Sequence, residues 1–517
     1  MKKIKIFSLF IITSLTILIS SCSKTKLDEI NRNVNNATDV ASKFIMTDVM
    51  TNTAFSVVGG DVSLYSSVYL EHEAGVWGQA WNAETRTGEP TQSTTNNNSW
   101  NSIYSNIKSL RIVIDKTSEG GSEEGNDVTL GIAKVLLAYN AAVLTDFFGD
   151  VPFSEAGLIN PDGSPAVMQP KIDKQSEIYP QIQTLLDEAI VALAGTGGSF
   201  PIGKQDVIYG GDKASWIKAA YGLKARYTMH TLKRSTDVPG DLAKILDYIS
   251  QSFESADEEM AFSQYDGGAV INPLFGISNA RDMLGVSQSL ANKFTTLEDP
   301  RGNEAFMDYN FAQITLAEAV TNSAPNGTTD QVQYEFPISA AEYSTSAPTM
   351  LLSYHELLFL KAEALIRLNR AAEAKDALKE AIIAAFANLE NSLNITSDAY
   401  GLGFDIDLSE AVATTYFNDK VAARFDANPL KETMLQKYLA FYGASGEATE
   451  AFNDYRRIKA LGDDALVTLE NPLNTTQFPL RFPYGNSDVT ANPVIKDVYG
   501  NGDYVYTENV WWAGGTR

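Results

Sequence analysis

One cysteine, Cys22, and three histidines, His72, His230 and His355, are spread over 517 residues. A single thiol excludes an intramolecular disulfide, and three scattered imidazoles give no zinc-ligand spacing. Positive charge is also scarce: 40 Lys and Arg stand against 64 Asp and Glu, a formal charge of −24. Without residues 1–21, which carry three lysines and no acid, it is −27. Such a chain repels a phosphate backbone, so no nucleic-acid partner is expected, and the simplest use of the acidity is solubility. After residue 21 no segment reads as long and apolar enough to span a bilayer. With 44% hydrophobic residues the chain can still bury a large core, and its length allows two or three domains.

What is present begins at the N-terminus. Lys2, Lys3 and Lys5 precede an apolar run from Ile6 to Ile19, followed by Ser20, Ser21 and Cys22. That is the layout of a secretory signal. The stretch Leu18-Ile19-Ser20-Ser21-Cys22 resembles a bacterial lipobox, with Ile19 in place of the usual leucine. The resemblance implies removal of residues 1–21 and acylation of Cys22; the alternative is an ordinary signal peptide with Cys22 unmodified. Acyl chains tether an otherwise soluble protein, each buried methylene contributing about 0.8 kcal/mol. Residues 22–40 are polar and Asn-rich and read as a tether.

The strongest periodicity lies between Ser353 and about Phe386. Tyr354, Leu357, Leu358, Leu365 and Leu368 share one helical face, and Asn369 stands where the chain must reverse. Ala374, Ala377, Leu378, Ala381 and Ile382 form a second stripe, whose alanines let two helix axes approach. With Ala362 as the small residue and Leu365 at the Tyr position, the stretch fits a tetratricopeptide hairpin; Lys361 and Phe386 stand where the pattern has Leu and Pro. The expected fold is mainly α, with tetratricopeptide-like hairpins forming an α-superhelix and a loop-rich irregular subdomain. Such hairpins bury their stripes by stacking and leave loops to carry function.

Further helices are expected over residues 41–72, from Trp100 to about Lys116, over 127–148, from Ser176 to Ala194 and after Gly211-Asp212. Trp100 and Tyr104 read as core. Between the first two helices lies GVWGQAWNAETRTGEPTQSTTNNN, read as a long polar loop. Trp77 and Trp81, with Gln79, Asn82 and Arg86 close by, offer what a sugar needs: rings for a pyranose C–H face and bidentate groups for hydroxyls. The competing reading is that the tryptophans plug the loop onto the core. Periodicity fades again over 262–348, where Tyr265, Asn279 and Arg281 are candidate partners across the same site. Asp146 and Asp150 read as turn-capping groups, and His230 as a helix C-cap.

Several motifs resemble the SusD/RagB-like family of outer-membrane nutrient-binding lipoproteins, SusD-like subgroup. They are Leu27-Asp28-Glu29-Ile30-Asn31-Arg32-Asn33; Phe148-Gly149-Asp150-Val151-Pro152-Phe153-Ser154-Glu155-Ala156; Gly211-Asp212 with Trp216, Leu223 and Arg226; and Asp299-Pro300-Arg301. Ala362-Glu363-Ala364, Tyr455-Arg456-Arg457, Arg481-Phe482-Pro483-Tyr484, Asn492-Pro493 and Trp511-Trp512 complete the series. The order of these motifs, from Cys22 to Trp512, carries the resemblance. It implies a single domain over 41–517: a helical scaffold at about 41–260 and 350–465, an irregular insertion at 262–348, and a loop-rich part at 466–517. It also implies a lipid-anchored protein at the outer membrane, facing outward, that captures glycan for a SusC-like TonB-dependent transporter. Peptide is the alternative cargo. The paired terminal tryptophans read as a plug that fixes the C-terminus.

No catalytic residue and no cofactor are expected, although a calcium ion propping the irregular segment stays open. A glycoside hydrolase needs only two carboxylates flanking a bond, and 64 acids make chance pairs inevitable. A serine triad would need one of three histidines; His355 lies within the hairpin and His230 at a helix end, neither placed as a general base. A third possibility is an interaction protein whose loops serve only the transporter.

Overall fold

The computed structural model describes residues 40–160, 163–195, 197–463 and 465–517. The signal sequence, Cys22, nearly all of the tether and the Leu27–Asn33 motif lie outside them.

Helical hairpins in succession build the unit Ser42–Arg517. Asn97–Thr117 packs on Asp127–Phe148, that on Gln175–Leu193, then Lys213–His230 and Val238–Ser250, which meets the hairpin Tyr354–Arg367 and Ala371–Tyr400. Asn369 turns that hairpin in the left-handed region, φ 60°, as its short polar side chain permits. Ala374, Ala377 and Ala381 are buried against the first helix. The second helix runs past Phe386 to Tyr400, because the stripe continues through Leu389 and Leu393 and no breaker intervenes before Gly401.

Asp127–Phe148 corrects one expectation. It is long and apolar enough to cross a membrane, yet 89% of its most apolar window is buried within the protein. Uniform apolarity here marks a helix surrounded by other helices. The expected helix over 41–72 is likewise divided. Ser42–Asn52 continues into a π-helical turn, Thr53–Val58, breaks at Gly59-Gly60, and resumes as Asp61–Tyr69. A Cβ on Gly59 would lie 2.4 Å from Pro273, so the break lets two segments touch.

Six strands of two to four residues pair as three antiparallel ribbons among the described residues: β1 (Glu73–Gly75) with β3 (Leu284–Val286), β2 (Met260–Phe262) with β6 (Thr349–Leu352), and β4 (Phe306–Met307) with β5 (Ile338–Ser339). Such short strands, buried on both sides, leave no alternation to read. Within 262–348 the chain also forms helices at Pro273–Arg281, Gln288–Leu297 and Leu316–Asn322.

Candidate functional site

The β1–β3 ribbon brings together the two stretches singled out from sequence. Val76 N donates to Met283 O at 2.9 Å, which sets Trp77 beside residues 281–283. The expected loop is a helix, Gly78–Glu84, with Trp77 extended at its N-cap. A Cβ on Gly75 would lie 2.0 Å from Ala80 O, so only glycine lets this helix fold back over β1. A third stretch joins them: Val332 N donates to Val76 O at 3.0 Å and Trp81 Nε1 to Thr329 O at 2.9 Å.

The result is an exposed aromatic and polar patch. Trp77 is 40% exposed and Tyr334 57%. Polar groups between them are already oriented: Arg281 Nη1 donates to Gln79 Oε1 at 2.8 Å, Tyr334 OH to Asp282 Oδ2 at 2.8 Å, and Gln333 Nε2 to Arg281 O at 3.0 Å. Tyr309 braces Tyr334 edge-on, with centroids 4.6 Å apart. Asp282 and Tyr334 hold φ of 46° and 65°, a region costly for non-glycine residues and tolerated where the surroundings enforce it. Below the patch Glu84 is fully buried. Its carboxylate accepts from Gly75 N at 3.1 Å and Gly327 N at 2.6 Å, fastening β1 to the 326–327 loop. Burial pushes its pKa up to about 7, against the pull of Arg86 and these two amides. Asp61 is also raised by burial, with Asn98 and Arg281 partly offsetting it.

Two candidates are corrected. Arg86 is buried beneath the helix, its guanidinium used up by Gln477 O at 3.0 Å, Ala83 O at 2.5 Å and Asn474 Oδ1 at 2.5 Å, and it lies over the Tyr69 ring. Tyr265 is buried among Phe55 and Phe262 and bonds Thr349 Oγ1 at 2.8 Å. Both side chains are structural, because the loop holding each folds inward. Trp81 and Asn82 are half-buried; Asn82 Nδ2 reaches Glu89 Oε1 at 3.4 Å. Asn279 and Arg281 are exposed on the helix Pro273–Arg281. Sequence reasoning missed Tyr334, although Gln331-Val332-Gln333-Tyr334 pairs an aromatic ring with amides much as the Trp77 stretch does.

The patch suits stacking and hydrogen bonding. Exposed rings accept the C–H face of a pyranose, while Gln79, Arg281 and Asn279 can meet hydroxyls. The Asp282 carboxylate beside them is engaged by Tyr334.

A second cluster is architectural. Asp146, His230 and Glu450 lie within metal-ligand reach of one another, but the imidazole itself bridges the carboxylates: Nδ1 is 3.3 Å from Asp146 and Nε2 3.0 Å from Glu450. Burial pulls the His230 pKa down, yet Glu450 and Asp146 win and hold it at about 9. Both carboxylates therefore favour the protonated form of this imidazole. Asp146 does not cap a turn, because it is drawn into this buried network; His230 does end its helix in the last turn, as expected, with its ring held in the same network. Asp146 also accepts from Tyr179 OH and from Trp512 Nε1 at 2.8 Å, so Trp512 fixes the C-terminus as expected. Asp150 does serve as a cap, accepting from Gln175 N at 2.8 Å where the next helix begins. Around them Arg481 bonds Phe148 O, Tyr484 OH bonds Asp150 O at 2.7 Å, and Arg456 Nη1 bonds Asp146 O at 2.9 Å. The Phe148–Ala156, Tyr455–Arg457, Arg481–Tyr484 and Trp511-Trp512 motifs therefore meet in one knot.

A family model described as starch-binding and associating with the outer membrane matches residues 34–485. The chain is 50% identical to a SusD/RagB-family protein from Bacteroides thetaiotaomicron, covering 93% of this chain and all of that one, with a TM-score of 0.88. It shares its fold with a chitin-binding protein at 22% identity (92% of this chain, 100% of that, TM-score 0.67). A chitin-binding SusD homologue from Flavobacterium johnsoniae also shares it, at 19% identity (91% and 98%, TM-score 0.68). Among curated proteins no match is found.

Proposed function

The chain belongs to the SusD-like family, whose description is starch-binding and outer-membrane-associated, and on that premise we propose that it captures glycan at the surface formed by Trp77, Arg281 and Tyr334. The observation that carries this reading is the pair of exposed rings flanking an oriented Gln79–Arg281 bond and an Asp282–Tyr334 bond. A prearranged surface loses little freedom on binding, which matters where contacts are shallow and each sugar unit contributes modestly. Longer chains gain by meeting both rings at once.

The protein acts by binding, not catalysis. Its membrane attachment is through Cys22, and it hands its glycan to a SusC-like TonB-dependent transporter; the family's outer-membrane association and the lipobox-like sequence support this. The starch description and the chitin-binding relatives make α-glucan and N-acetylglucosamine oligomers the first ligands to try. Titration against these and a set of peptides decides the cargo. Glycan heat rising with chain length is expected; heat from peptides alone would replace glycan by peptide.

A further inference from the structure

A pocket of about 460 Å³ lies among the helices Gln288–Leu297, Ala422–Ala427 and Pro429–Ala440 and the 466–470 loop. None of its lining residues belongs to the patch of Trp77 and Tyr334. Lys293 is in its wall and only 9% exposed. Its ammonium donates to Ser289 Oγ at 2.5 Å, with Ser289 O at 3.5 Å, and lies 5.5 Å from the Tyr438 ring. Among the described residues no carboxylate comes within 4.0 Å of it.

Other deeply buried cations here are provided for. Lys437 has Asp454 at 2.6 Å, Arg226 has Glu356 at 2.5 Å, Arg301 has Asp299 at 2.7 Å and Arg457 has Glu363 at 2.6 Å. Arg456 and Arg481 reach main-chain carbonyls instead. Lys293 has a hydroxyl and a more distant attraction to Glu71 and Glu470, while burial lowers its pKa. A buried ammonium short of acceptors gains most from a charged one.

The pocket says what that acceptor is attached to. Arg424 is already neutralised by Glu432, at 3.1 Å, whereas Lys431 is exposed at the rim, a second cation on hand. Leu297, Leu435 and Leu466 offer apolar surface. Glu470, reached by Asn292 Nδ2 at 3.2 Å, and Asn428 offer acceptors to hydroxyls. The volume fits a sugar of one or two rings. We propose that this pocket is a second binding site, for a carboxylate-bearing sugar such as a hexuronate, whose carboxylate is received by Lys293.

Calorimetry on the purified full chain tests it with galacturonate, its methyl ester, galactose and succinate as probes. Galacturonate is expected to bind, and the ester, galactose and succinate to bind at least tenfold more weakly. Lys293→Met should weaken galacturonate at least tenfold while far-UV circular dichroism stays unchanged. Absence of galacturonate binding, equal binding of the uncharged ester, or unchanged binding by the folded variant would overturn the site. Equal binding of succinate would overturn the sugar part of the assignment. Should Lys293→Met not fold, the acid–ester comparison decides alone.

Discussion

Arg86 was a candidate for its place beside Trp77 and Trp81 and Arg281 as a partner from the 262–348 segment, and the structure separates the two guanidiniums completely. Arg281 stands at the end of an exposed helix and holds Gln79 across the patch. Arg86, at φ 58°, turns beneath the surface and is spent on main-chain carbonyls and Asn474. Arg86→Met should therefore destabilise the fold by about 2–4 kcal/mol, since it strands buried acceptors, and leave glycan affinity of the folded fraction unchanged. Urea unfolding alongside calorimetry checks both halves; lost affinity at unchanged stability would return Arg86 to the binding surface. Nothing local to the sequence announces this difference, because the partners Asn474 and Gln477 lie almost 400 positions away.

At the scale of elements, the sequence was readable where periodicity is long and opaque where segments are short. The hairpin at Asn369 and the cap at Asp212, which accepts from Ser215 N at 3.0 Å, follow from local chemistry alone. The β1–β3 ribbon and the Gly78–Glu84 helix do not, since three to seven residues carry too little pattern, and it is they that assemble the patch. Of the knot joining the Asp127–Phe148, Lys213–His230 and Ala448–Leu461 helices to the C-terminus, the sequence showed the tryptophan plug but not the His230 bridge that it rests against. Its energetics depend on His230 being charged. The folded pKa of about 9 lies above the ordinary 6.5, so the stabilisation is fully present below pH 6.5 and lost as pH rises through 9. It amounts to about 3 kcal/mol by linkage. Comparing urea midpoints of the wild type and His230→Gln at pH 6 and pH 10 checks this: the gap should shrink by that amount. A gap independent of pH would mean that the imidazole is neutral in the fold.

For the whole molecule, the ordered series of motifs was enough to name the family, and the structural knot explains why order mattered more than any one motif: distant stretches of chain bond one another there. The same series could not point to Tyr334, since a binding surface is set by what loops expose and not by what the core requires. Attachment at Cys22 is tested by Cys22→Ser, which should move the protein from the membrane to the soluble fraction and abolish labelling with a palmitate analogue; retained labelling would contradict it. The central claim, that exposed rings catch sugar, is tested most directly by calorimetric titration of the wild type, Trp77→Ala and Tyr334→Ala with starch- and chitin-derived oligosaccharides. Each substitution should cost about 1–2 kcal/mol of binding, roughly tenfold in affinity, with melting temperature unchanged. Oligosaccharide binding that is indifferent to both rings would contradict it.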